Sequence, residues 1–135
     1  MTQTPGGSLA IVDIPERCGN APRKEVVRDM TVALYRRDPG ELLPYLSDRI
    51  RWSVIGETTL EGTDEVAHWL SNEPAPRQLK INTVITHGWE CGVDGSVVFP
   101  DGTAYAFSHM VFFTGASKTA RVKEVRTYRV PTTVV

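Results

Sequence analysis

The chain is 135 residues long, 41% hydrophobic and 23% charged, with 15 Lys+Arg against 16 Asp+Glu. That length lets one domain bury a core unaided, and the composition is too close to the globular average for extensive disorder. The near-neutral balance has no basic stripe of the kind a nucleic-acid partner requires, and no apolar run approaches the roughly 20 residues that span a bilayer.

Cys18 and Cys91 make neither a disulfide framework nor a metal-binding pair. The opening Met1–Ser8 segment lacks the charged and long apolar stretches of a secretory leader. The expectation is a cytoplasmic, soluble protein with no nucleic-acid or membrane partner. Residues 1–17 read as an N-terminal tail or extension and 18–135 as a single domain.

In chain order, Leu9–Val12 is a short apolar run, either an edge strand or a segment packed on the body. Asn20-Ala-Pro22 reads as a helix start, an Asn cap with Pro in the first turn. The helix that follows places Val26, Val27, Met30, Ala33 and Leu34 on one face. Arg23, Lys24, Arg28, Arg36 and Arg37 fall mainly on the other. Asp38-Pro39-Gly40 breaks it, and Glu41–Leu46 forms a short second helix with Leu42, Leu43 and Leu46 inward.

Ile50–Ile55 is a strand closed by Gly56. Its inward register is open, because a one-residue slip exchanges Trp52 and Ser53 between the faces. A third helix begins at Gly62-Thr63-Asp64 with Thr63 as cap, placing Val66, Trp69 and Leu70 on one side and His68 on the other. The rest is strand-like: Leu79–Thr86, Cys91–Phe99, Thr103–Phe113 and Arg121–Val130. Turn chemistry lies at His87-Gly88, Asp94-Gly95, Pro100-Asp101-Gly102 and Gly115-Ala116-Ser117. Helices first and a strand meander last define an α+β domain with helices on one face of an antiparallel sheet.

Tyr105, Phe107, Val111 and Phe113 share one face of their strand, yet Met110 and Phe112 are apolar on the other. A second covered face calls for a partner, and a second copy of the chain is the expected one.

The order of elements resembles the nuclear transport factor 2-like superfamily, and within it the small SnoaL-like bacterial branch. The resembling stretches are Asp48–Gly56 followed by Leu60-Glu61-Gly62, Ile85–Gly88, Asp101–Phe107 and Val122–Tyr128. The resemblance implies a cone, a strongly curved sheet wrapped around the helices with a pocket at its open end.

The chemistries of that superfamily do not carry over residue by residue. The position of the catalytic Asp of ketosteroid isomerases is Ser53 here, three residues before Gly56, and a hydroxyl cannot take a carbon-bound proton as a carboxylate does. Their oxyanion-holding Tyr falls near Met30 and their second donor on His109. The Asp/Arg/Asp set of limonene-epoxide hydrolases falls near Phe107, His109 and Thr127, with no carboxylate among them.

His109 is thus the candidate acid or base, its imidazolium disfavoured by apolar surroundings. The plainer account is a buried histidine satisfied by hydrogen bonds. Tyr105, about 13 Å along the strand, is too far to touch it directly, though both could contact one ligand.

The expected pocket lining is Met30, Trp52 or Ser53, Tyr105, Phe107, His109 and Thr127, and the expected ligand a small, mostly apolar organic molecule. A lyase, cyclase or isomerase using His109, and a non-catalytic dimerisation module, stand as alternatives. His68, His87 and His109 show no metal-ligand spacing, and no Gly-rich phosphate loop follows a strand, so no metal and no cofactor are expected. Glu124, Arg126 and Tyr128 alternate on one side of the last strand, read as a rim salt bridge on the face toward the second copy.

Overall fold

The computed structural model describes residues 9–13 and 22–133. The expected Asn20 cap and the Met1–Ser8 segment lie outside them. Elements run β1 (Ala10–Asp13), α1 (Pro22–Tyr35), α2 (Pro39–Leu42), a 3-10 turn (Leu43–Tyr45), β2 (Leu46–Val54), β3 (Thr58–Glu61), α3 (Thr63–Asn72), β4 (Gln78–His87), β5 (Glu90–Val98), β6 (Ala104–Phe113) and β7 (Val122–Pro131). They form an α+β cone whose one mixed sheet has the order β1-β4-β5-β6-β7-β2-β3. β1 runs parallel to β4 and β2 parallel to β7, and the other neighbours are antiparallel.

The first helix is less amphipathic than its charges suggest. Its last six residues, Met30 to Tyr35, are all buried, because this end enters the cone. The chain leaves the helix through Arg37 at φ 58, a conformation that costs a non-glycine residue about 1 kcal/mol or more. Arg37, expected on the solvent face, is only 5% exposed. Its Nε donates to the Pro74 carbonyl at 3.0 Å and Nη2 to the Tyr105 hydroxyl at 3.3 Å, and these bonds hold the turn. Asp38 does more than break the helix. Its carboxylate accepts the Gly40 N–H at 3.0 Å and caps α2, with Pro39 in the first turn.

Leu42 and Leu46 are buried and Leu43 half-buried, but Leu46 already belongs to β2. In β2 the register left open by the sequence resolves with Ile50, Trp52 and Val54 inward, while Ser53 shares the opposite face with exposed Arg51. The β2–β3 hairpin turns at Gly56, φ 80. Strand β3 has a polar Thr-Thr-Leu-Glu sequence without a clear apolar alternation, so nothing in the sequence marked it except Leu60, which pairs with Trp52. Gly62, not Thr63, precedes α3, and no side chain caps that end.

Asp94-Gly95 is not a turn. Both residues lie inside β5, opposite an irregularity of β4 between Ile81 and Thr83. A β-carbon on Gly95 would stand 1.9 Å from the Lys80 carbonyl oxygen, so the close approach of two strands explains this glycine. Along β6, Phe107, His109, Val111 and Phe113 are buried inward, and Met110 and Phe112 face outward.

Candidate functional site

The narrow interior of the cone is filled, and its polar groups form one chain. The Trp52 indole Nε1–H donates to Thr127 Oγ1 at 2.8 Å. The same oxygen lies 2.8 Å from His109 Nδ1, and His109 Nε2 lies 2.8 Å from the Tyr35 hydroxyl. Trp52, Thr127, His109 and Tyr35 are each at most 3% exposed. The His109 ring stacks on Phe107 at 4.9 Å between centroids, and Tyr35 meets the same ring at 4.8 Å. Register explains the convergence, because His109 sits opposite Thr127 and Trp52 opposite Val125 on adjoining strands.

The Tyr105 oxygen accepts from Arg37 at 3.3 Å and from Arg129 at 3.5 Å. A neutral His109 donates at one ring nitrogen and accepts at the other, so of its two hydroxyl partners, Tyr35 and Thr127, one gives a proton and the other receives one.

Burial, reinforced by the positive charges of Arg37 and Arg129, pushes the His109 imidazole down to about 3. It is a neutral ring at physiological pH. Burial, with Tyr105 beside it, raises the Tyr35 phenol well above its ordinary value.

Outward of Tyr105 the cone opens. Arg129 donates through Nε to Glu57 at 2.8 Å and through Nη1 to Glu73 at 2.7 Å, while Nη2 completes a two-pronged pair with Glu57. The bonds from Arg129 hold the Glu57 carboxyl below its ordinary value. Glu57 and, next to it, Glu73 in turn raise the Arg129 guanidinium. Arg37 lies 4.0 Å from Glu73.

This cluster ties the ends of α1 and α3, the β2–β3 turn and β7 around a cavity of about 620 Å³. Glu57, Glu73, Pro74, Phe99, Asp101, Tyr105 and Arg129 are among its lining residues.

Of the lining expected from sequence, Tyr105 alone belongs to this open cavity. Met30, Trp52, Phe107, His109 and Thr127 are buried together behind it, and Ser53 stands on the outer face. Tyr35, Arg37, Glu57, Glu73 and Arg129 were missed. Tyr35 was visible at four-residue spacing from Val27 and Thr31. Arg129 was visible as a cation two places beyond inward Thr127 in a strand of period two.

Among the described residues, no group of three or more His, Cys, Asp or Glu is placed to hold a metal. Cys91 is buried, and burial raises its thiol. No helix of the described residues is long and apolar enough to cross a membrane.

The fold and site together define an α+β cone with a packed interior and an ion-paired, open mouth. No family model matches the sequence, and no curated protein matches it. Solved structures do. A nuclear transport factor 2-like protein of unknown function from Burkholderia xenovorans is 13% identical with a TM-score of 0.69, covering 80% of this chain and 82% of that one. A candidate ketosteroid isomerase from Kribbella flavida is 15% identical with a TM-score of 0.63, covering 81% and 78%. A candidate SnoaL-like polyketide cyclase from Shewanella denitrificans is 16% identical with a TM-score of 0.66, covering 82% and 92%. The chain has the nuclear transport factor 2-like fold shared by these proteins, and at such identities the likeness is one of fold.

Proposed function

We propose that the protein binds a small organic molecule in the cavity at the mouth of the cone. The observation that carries this reading is the cavity itself, about 620 Å³ with ring and proline walls and a few convergent polar groups, the usual form of a small-molecule site. Met30, Trp52, Phe107, His109 and Thr127 pack in the buried interior behind it, and Tyr105 lines the cavity itself.

A thermal-shift screen of small aromatic and alicyclic compounds tests it, with Thr103→Trp as the variant that fills the cavity from an exposed position. A ligand at a hundredfold excess over its Kd adds about 2.7 kcal/mol, and the variant abolishes that gain. A hit that stabilises wild type and variant equally places the site elsewhere.

A second reading is an isomerase-, lyase- or cyclase-type enzyme. It is supported by the two hydroxyls bonded to His109. In it, Tyr105 meets the substrate and His109 acts through Tyr35 as a positioning residue. Turnover lost in Tyr105→Phe with binding retained would favour it.

A second copy of the chain is the proposed protein partner. Ile85, Met110 and Tyr128 are exposed on the outside of the sheet and support that reading. Light scattering should give twice the chain mass, falling toward the monomer in Met110→Glu.

A further inference from the structure

Tyr105 lines the mouth with its hydroxyl oxygen already accepting from Arg37 and Arg129, so its lone pairs are taken. Arg129 commits four of its five N–H groups to Glu57, Glu73 and Tyr105.

The acceptors are not used up. Asp101 receives the Thr103 N–H at 2.9 Å and hydroxyl at 2.6 Å on one oxygen, which lowers its carboxyl and leaves the second oxygen to the cavity. Glu73 meets Arg129 and Arg37 through Oε1, leaving Oε2. Three carboxylates and one guanidinium line the cavity, and Arg37 behind Tyr105 still leaves a negative charge in excess. The Phe99 and Tyr105 rings, 5.5 Å apart at 55°, supply an apolar wall; Arg129 lies over the Tyr105 ring at 5.3 Å, which leaves the Phe99 face to attract a cation.

We infer that the mouth cavity selects a protonated amine carried on a compact apolar body. The ammonium group meets Asp101 and Glu73, the body lies against Phe99 and Tyr105, and anions are repelled. This rests on the cavity being the ligand site, and the probes are chosen to separate the two claims.

The full chain is titrated with benzylamine, benzyl alcohol and benzoate at one pH and ionic strength, following the backbone amide signals of Asp101 and Thr103. The amine is expected to bind about tenfold tighter than the alcohol, the difference made by one charged hydrogen bond, with benzoate weakest. Added salt weakens the amine alone. Asp101→Asn keeps its turn bond to Thr103 and sits on an exposed loop. It reduces amine affinity about fivefold, as loss of a partly solvated charge contact does, and weakens the alcohol less than the amine. Equal or tighter binding of benzoate or the alcohol at these signals overturns the amine selectivity while keeping the cavity as the site. No movement of these signals with any of the three overturns both.

Discussion

Thr127→Val perturbs the buried chain at its branching atom while keeping the side-chain shape. Thr127 Oγ1 accepts the indole N–H of Trp52 and pairs with His109 Nδ1, each at 2.8 Å, in surroundings closed to water. The substitution leaves both groups without a partner. Each buried orphan costs about 1–3 kcal/mol, and partial relaxation brings the expected total to about 3 kcal/mol. For a domain of this length that lowers the melting temperature by about 10 °C. Urea unfolding should show a lower midpoint at unchanged slope, since the surface exposed on unfolding is the same. Thr127→Ser keeps the hydroxyl and loses one methyl, about 1 kcal/mol. A Thr127→Val protein within about 0.5 kcal/mol of wild type, the spread of ordinary surface substitutions, would refute the dry, fully committed chain.

His109 stays neutral in the folded protein down to about 3, whereas the unfolded residue binds a proton below about 6.5. Its contribution is complete above pH 6.5 and is lost as pH falls toward 3, by up to about 1.4 kcal/mol per unit. Urea midpoints between pH 7 and 5 should show this slope, and His109→Gln should flatten it.

Gly95→Ala forces a β-carbon onto the Lys80 carbonyl and should cost about 4 kcal/mol or more. Gly92→Ala meets Ile85 and Met110 side chains only at 3.5–3.8 Å and should stay within about 1 kcal/mol of wild type. Arg129→Met strands Glu57 and Glu73 and should cost about 2 kcal/mol, between exposed and buried pairs. Adding Glu73→Gln should recover part of that loss in the same unfolding assay.

The sheet side of the fold was legible because β4 to β7 are long segments rich in β-branched and aromatic residues, β5 a nearly continuous buried run, separated by Gly-containing turns, as at His87-Gly88 and Asp101-Gly102. β3 was not, since a polar hairpin strand is held by its neighbour Trp52 rather than by its own pattern. Gly95 was misread for a related reason. A glycine demanded by close strand approach looks in sequence like one demanded by a turn.

Trp52 was singled out from its residue type and strand position, and His109 and Thr127 from the positions that the superfamily resemblance assigns to catalytic groups. What hid their relation was register between β2, β7 and β6, a long-range property that spacing along one strand does not encode. Arg37 was assigned to solvent because helical periodicity was carried two residues past Tyr35, where the backbone turns left-handed.

On this reading the ligand sits at the mouth, above a closed interior. Binding mapped by nuclear magnetic resonance with a hit from the compound screen tests it most directly. The backbone signals of Asp101, Thr103 and Tyr105 should move on titration while the Trp52 indole N–H stays in place. A ligand that shifts the Trp52 indole and the His109 ring, leaving Asp101 and Thr103 unmoved, would place the site inside the cone and refute a binding site at the mouth.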